Sequence, residues 1–482
     1  MSVLENLEPN KVFKYFEEIA AIPHGSRNTK QISDYLVAFA EAHNLEHYQD
    51  NFNNVVIIQE ASKGYENAEP IIIQGHMDMV CEKENGCNID FEKDGLDLYI
   101  DDDFVKAKGT TLGGDDGIAV AYALAILDSP EILHPRLEIV ITVDEEIGML
   151  GAIDIDLSML KGHQMLNFDS DVEGSFLTSC AGGMSLNASI PVSRQSKKGT
   201  LINLQISELL GGHSGGEIDK ERANADILMG RLLEEIFANS PFGIVSLEGG
   251  LKDNAIPREC LCQIIAPDEN TELISDIVSS VENTLKKEFS VSDPQLTVTA
   301  EIIGEAEKEI LDFASLNKII FYLRTIPNGV IYMSQVIPGL VETSLNLGIM
   351  KLNDNSLDTV TSIRSSVSSR KEDLKNRVVN IIDILGGEAE IEGDYPAWEY
   401  KNESPLRNKI EQTYTKLFGT KPVFEAIHAG LECGILSDKI DNLECVSFGP
   451  NNFDIHTPQE RLSISSTKRI WDFLVEFLRN AR

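Results

Sequence analysis

Short apolar runs of strand type alternate with helical segments through the first 170 or so residues, and each run stops on side chains that prefer water or a metal ion. VVIIQ (55–59), IIIQG (71–75), LEIVITV (137–143) and MLNF (165–168) are apolar at nearly every position. Such runs read as strands buried on both faces, unlike the alternating pattern of a half-exposed strand. Around them, VFKYFEEIAAI and ISDYLVAFAEA place apolar residues at helical spacing, with a turn predicted at Pro23, Gly25 and Ser26. IAVAYALAIL (118–127) is apolar all round, as a helix enclosed in a core is. Strands alternating with helices predict an α/β domain with a mostly parallel sheet.

The texture changes near residue 183. MSLNASIPV, TLINLQIS and CLCQIIA alternate apolar and polar residues, and long amphipathic stretches such as ERANADILMGRLLEEI lie between them. After LTVTAEIIG the order of elements recurs, which predicts two copies of an α+β sandwich between about 185 and 390. From Tyr395 the α/β texture returns, closing on the helix-like TKRIWDFLVEFL. An interrupted α/β domain fits 482 residues, since a domain typically takes roughly 100–200.

Charge and cysteine usage narrow the function. With 41 basic and 78 acidic side chains the net charge is −37. That field opposes nucleic acid and anionic membranes and draws in cations. The seven cysteines are odd in number and contain no CxxC pair, so neither a disulfide framework nor a cysteine-rich zinc site is indicated, and buried, reduced thiols are expected. The acidic start MSVLENLEPNKVF has no basic-then-apolar leader, and the apolar runs are too short for a membrane span, so a cytoplasmic chain is expected.

In open α/β sheets functional groups collect at the carboxyl ends of strands. Here IIIQG runs into His76 and Asp78, a glycine-rich loop into Asp115 and Asp116, LEIVITV into Asp144, Glu145 and Glu146, MLNF into Asp169, and CVSFGPNNFDIH into His456. Taken singly, a histidine after a strand is ordinarily a hydrogen-bonded rim residue, DEE a solvated turn, and DD a helix N-cap. Taken together, two imidazoles and several carboxylates suit zinc, with manganese or cobalt tolerated. There are enough groups for two ions, with one carboxylate left as a general base.

GHMDMV, TLGGDDGIAVAYALAIL, TVDEEIGMLGA, LNFDSD, GGHSGGEI, DNAIPRE, HAGLECGIL and FGPNNFDIHTPQERL, in this order, resemble peptidase family M20. Within it they resemble the aminoacyl-histidine dipeptidase branch, the cytosol non-specific or Xaa-His dipeptidases. The resemblance implies a zinc-peptidase-like α/β catalytic domain formed by 1–184 and 391–482. A lid and dimerisation domain over 185–390 is implied to be two ferredoxin-like sandwiches. It implies two divalent metal ions, zinc in the first place, held by His76, Asp115 as the bridge, Glu146, Asp169 and His456. Glu145 is then the general base and acid, and Asp78 orients His76. His213 would polarise the scissile carbonyl, Asn254 and Arg364 would take the substrate carboxylate, and His428 and Glu432 would line the pocket, with Glu432 a partner for the substrate amine. A cis peptide between Asp115 and Asp116 is also implied. The activity implied is hydrolysis of dipeptides with a free N-terminus, Xaa-His among a broad range, by a di-metal-activated water in a cytoplasmic homodimer. An N-acyl amino acid deacylase or aminotripeptidase of the same architecture is the near alternative. A non-catalytic binding protein is the distant one, disfavoured because every ligand and the base are present.

Overall fold

The structure, a computed structural model, describes residues 2–482 and divides into two compact units. The first contains residues up to Cys180, then Tyr400–Ala426 and Leu431–Arg482; the second contains Ala181–Glu399 and Ile427–Gly430. The short return of Ile427–Gly430 to the second unit is not visible in the sequence, because IHAG carries no change of composition.

The first unit is built on an eight-stranded sheet. Its centre is four parallel strands in the order Leu137–Thr142, Ile71–His76, Gln164–Asn167 and Glu444–Ser447. Ile71–His76 and Leu137–Thr142 are buried at every position, as their unbroken apolar runs require. Val55–Gln59 and Ser175–Cys180 flank this centre antiparallel, so the sheet is mixed where the alternation of elements predicted mostly parallel pairing. Val55–Gln59 and Ile71–His76 flank Leu137–Thr142 in opposite directions, as the connection between them, which contains no crossover helix, allows. The helix Gly114–Leu127 is buried nearly all round. The closing helix Ile464–Asn480 buries Ile470, Phe473, Leu474, Phe477 and Leu478 on one face and is capped by the Ser463 hydroxyl.

Aromatic packing fixes the strand ends. Phe168 lies 4.7 Å from Phe448 between ring centroids, and Phe448 packs on Phe176 and Phe473 at 5.0 and 5.3 Å. Each fully buried phenylalanine contributes about 1.5–3 kcal/mol. Phe168 immediately precedes Asp169, so this packing also anchors a carboxylate.

The second unit carries a nine-stranded antiparallel sheet that resolves into two ferredoxin-like halves. In one, the strands run Thr297–Leu311, Arg194–Ser207, Cys260–Ala266, Gly243–Gly249 across the sheet, with helices Ala225–Asn239 and Thr271–Glu288. In the other they run Glu388–Tyr395, Gly182–Pro191, Ser356–Ser365, Val341–Leu352, with helices Phe313–Thr325 and Ser368–Ile384. The halves are nested, not sequential: Gly182–Pro191 opens the second half before the whole of the first is inserted. In the sheet they meet at two ladder pairs, Glu248 with Lys351 and Gly249 with Met350, and the elements of both halves share one hydrophobic core. Among the described residues no helix is long and apolar enough to cross a membrane. Five of the seven free cysteines are buried as expected, but Cys81 is exposed and Cys87 half-buried.

Candidate functional site

His76 is the last residue of its strand and is almost fully enclosed, at 1% exposure. Its Nδ1 lies 3.0 Å from the Asp78 carbonyl oxygen and 3.5 Å from the Asp78 carboxylate. Donation to that carbonyl leaves Nε2 as the outward nitrogen, 3.2 Å from Asp115 Oδ1. The Asp78 carboxylate is mainly engaged elsewhere. It accepts from Ser26 Oγ at 2.8 Å and from the backbone amides of Glu145 and Glu146 at 3.1 and 3.4 Å. One buried carboxylate therefore ties the PHGS turn to the DEE turn, while its own carbonyl steers His76.

Asp115 faces two histidines. Oδ1 is directed at His76 and Oδ2 at His456 Nε2, 3.1 Å away, and the same His456 nitrogen lies 3.1 Å from Glu146 Oε2. His76, Asp115 and Glu146 present ligand atoms within 4.8 Å of one another. The peptide bond between Asp115 and Asp116 is cis. Asp116 turns away, its Oδ2 facing the His76 amide at 3.3 Å, and burial raises its carboxyl well above the usual range. His456 does not end a strand: the strand stops at Ser447, and His456 sits in the turn beyond the short strand Asn452–Phe453, at φ 60°.

The electrostatics call for added positive charge. Burial and the neighbouring Asp115 and Glu146 charges push Asp169 up to about 7, and burial with Asp115, Asp169 and Glu460 pushes Asp171 up to about 8. Burial, with Asp169, Glu432 and Glu146, raises Glu145 well above the ordinary carboxylate range. In return, hydrogen bonds to Asp115 and Glu146 push His456 up to about 11, and His76 is held high by Asp115 and Asp78 against its burial. Glu146 Oε1 is buried without a hydrogen-bond partner. Imidazole nitrogens and carboxylate oxygens in this arrangement are a donor set for borderline divalent ions, with Asp115 offering one oxygen to each side.

Behind the strand ends lies a network that sequence reading did not identify. Asn167 Nδ2 donates to Gln74 Oε1 at 2.6 Å, and Gln74 Nε2 and Thr142 Oγ1 donate to Glu432 Oε2 at 2.5 and 2.6 Å. It links the strands that lead to His76, Glu145 and Asp169. Glu432 is 0% exposed, and burial pushes its carboxyl up to about 7. Gln74, Thr142 and Asn167 read as ordinary strand residues, so only their occurrence as polar residues inside apolar runs marked them.

The remaining expected residues lie in the second unit. His213 Nδ1 accepts from the amides of Gly215 and Gly216, both at 3.1 Å, which places the ring proton on Nε2 as a free donor. Burial and the Arg364 charge keep this ring neutral by lowering its pKa. Arg364 Nη1 donates to Tyr395 Oη at 3.2 Å, while its buried Nε has no hydrogen-bond partner. His428, lowered to about 3 by burial and Arg364, holds Ser344 Oγ at 2.7 Å through Nε2. Asn254 is exposed, and its carbonyl accepts from Ser214 N at 2.9 Å.

The sequence profile of peptidase family M20/M25/M40 matches residues 72–480. The cytosol non-specific dipeptidase of Escherichia coli K12 is 34% identical over 481 residues, 99% of each chain. The chain belongs to peptidase family M20. The crystal structure of aminoacylhistidine dipeptidase from Vibrio alginolyticus superposes on this M20 chain with a TM-score of 0.93 at 33% identity, covering 99% of this chain and 97% of that one. An aminopeptidase structure from Bacillus cereus, with a TM-score of 0.57 and 14% identity over 98% and 99% of the two chains, shares the M20 fold.

Proposed function

We propose that this M20 chain hydrolyses dipeptides bearing a free N-terminus, with two divalent ions, zinc in the first place, held by residues of its first unit. The observation that carries the reading is Asp115, whose two oxygens face histidines from opposite ends of the sequence, with Glu145 and Glu146 at the same strand ends. The names of the Escherichia coli and Vibrio alginolyticus relatives, both dipeptidases, support the substrate class. In this reading His76, His456, Glu146 and Asp169 would hold the two ions, and Asp115 would serve both.

When bound, two such ions would supply Lewis acidity and lower the pKa of the attacking water. Glu145 accepts the proton of the attacking water and returns it to the nitrogen of the leaving amine. Asp78 fixes the Glu145 backbone through its amide. His213, neutral with Nε2–H free, is the donor for the developing oxyanion. Asn254 and Arg364 take the substrate carboxylate, a task the guanidinium fork suits, and His428 shapes that pocket. Glu432, sealed from solvent with one oxygen held by Gln74 and Thr142, is read as a brace under the strand ends and not as the partner of the substrate amine.

The first unit is the catalytic unit in this reading, and the second is the lid through which a homodimer forms. A cytoplasmic location is part of this reading, in keeping with the cytosol non-specific dipeptidase of Escherichia coli. The test is hydrolysis of an unblocked dipeptide and its N-acetylated twin. Cleavage of the free dipeptide alone, lost with chelator and restored by zinc or manganese, is the expected result. Cleavage of the acetylated compound alone would make the chain a deacylase, and cleavage of tripeptides in preference to dipeptides an aminotripeptidase.

A further inference from the structure

Glu460 has the geometry of a designed anchor. Its side chain is 2% exposed and lies in the first unit, four residues beyond His456. The carboxylate accepts from four consecutive backbone amides of the glycine-rich loop. Leu112 N and Gly113 N donate to Oε2 at 2.6 and 3.0 Å, and Gly114 N and Asp115 N to Oε1 at 2.8 and 3.3 Å. Asn452 Nδ2 adds a fifth contact at 3.2 Å to Oε1. Successive amides converging on one anion form a nest, a concavity that proteins ordinarily use for phosphate or other bound anions. Here the chain fills it with its own side chain. Gly113, at φ 66°, supplies the left-handed residue that turns the amides inward, and a Cβ on Gly114 would lie 3.1 Å from Glu460 Oε1.

The anchor joins two segments that each carry a predicted ligand. One end of the nest is the amide of Asp115 itself. The other side belongs to a closed turn: Asp454 pairs with Arg461, Thr457 Oγ1 donates to the Asp454 carbonyl at 2.7 Å, and Glu460 N donates to the Thr457 carbonyl at 3.1 Å. His456 sits within that turn. The separation of His456 Nε2 from Asp115 Oδ2, 3.1 Å, is thus set through Glu460.

We propose that Glu460 is a positioning residue for the metal centre: it locks the loop of Asp115 against the turn of His456, so that the bridging carboxylate and the second histidine are held ready for an ion. The inference rests on the dinuclear reading given above. Only an ionised carboxylate has acceptor capacity on both atoms for four donors. Glutamine would turn an NH2 group toward two of the amides, and aspartate would reach only part of the nest.

The test is titration of the chelated full-length protein with Zn2+, read as heat of binding and as bound metal after dialysis, for the wild type, Glu460→Gln, Glu460→Asp and Asp115→Asn. Loss of an outer partner that orients ligands lowers metal affinity about 10–100-fold. Glu460→Gln is expected to fall in that range. KM for the dipeptide at saturating Zn2+ is expected to stay as in the wild type, and the metal-free variants are expected to be folded by circular dichroism at the titration temperature, so that lost affinity does not report unfolding. Glu460→Asp, which keeps the charge, gives the same answer from a milder change if the glutamine variant does not fold. Zn2+ affinity within about twofold of wild type in these variants, with Asp115→Asn strongly weakened, overturns the inference alone. An Asp115→Asn protein that binds Zn2+ as the wild type does overturns the dinuclear reading beneath it.

Discussion

Replacing Asp226 by asparagine should stabilise the protein, and should do so only as pH rises. Asp226 lies in the first turn of the helix Ala225–Asn239 and is 0% exposed. Its Oδ1 occupies the space that a side chain on Gly249 would need, 1.8 Å from the position of a Cβ there. Neither carboxylate oxygen has a hydrogen-bond partner of normal geometry. Burial therefore pushes its carboxyl up from 3.8 to about 8, with the Cys260 thiol pulling weakly the other way. The folded chain keeps this proton up to about pH 8, whereas the unfolded chain releases it near 3.8. Between those values unfolding releases a proton, so Asp226 costs stability progressively as pH rises, by at most about 1.4 kcal/mol per pH unit. The window sums to a ceiling of about 6 kcal/mol, and relaxation around a buried charge leaves roughly 2–3 kcal/mol to be observed. Asparagine has a similar shape and no charge to lose. Thermal melting of the wild type and Asp226→Asn at pH 5, 6, 7 and 8 should show a gap of about 2 °C at pH 5 that widens to roughly 5–10 °C at pH 8. A gap that is the same at both ends of the series would refute the reasoning.

Other consequences concern the strand ends. Glu145→Ala should lower turnover by about 10²–10⁴-fold while the protein binds as much metal as before; near-normal turnover would remove Glu145 as the base. Ser26→Ala removes the hydroxyl that holds Asp78 at 2.8 Å and should cost about tenfold in kcat with KM little changed, measured by steady-state kinetics. Gly75→Ala would set a Cβ 2.4 Å from the Ala119 Cβ and 2.5 Å from Asp116 Oδ2. The strand carrying His76 must then shift from the helix behind it, at a cost of roughly 1–3 kcal/mol in urea unfolding.

The strands bearing His76 and Glu145 were legible because strands enclosed on both faces leave unbroken apolar runs, and the helix Gly114–Leu127 because it is apolar all round. The small sheet of Leu98–Asp101, Phe104–Ala107, Asn452–Phe453 and Arg461–Ser463 was not, since such short, largely polar segments gain their pairing from tertiary context. The recurring order of elements pointed to two sandwiches in the second unit. Their nesting stayed hidden, because MSLNASIPV looks the same whichever sheet half it joins. At the site, residue type marked the histidines and acids. Glu460 was missed, and the enclosure of Glu432 was not visible, because both depend on what surrounds them: only the fold shows four amides closing on the Glu460 carboxylate.

The most direct test of the account joins metal content to chemistry in one sample. Chelated protein is titrated with Zn2+ or Mn2+, and bound metal and free-dipeptide turnover are measured at each step. No turnover is expected without metal, with recovery as about two ions per chain bind, and neither full metal content nor recovery in Asp115→Asn. Free-dipeptide turnover by protein stripped of metal, or full metal content and recovery in Asp115→Asn, would contradict that expectation.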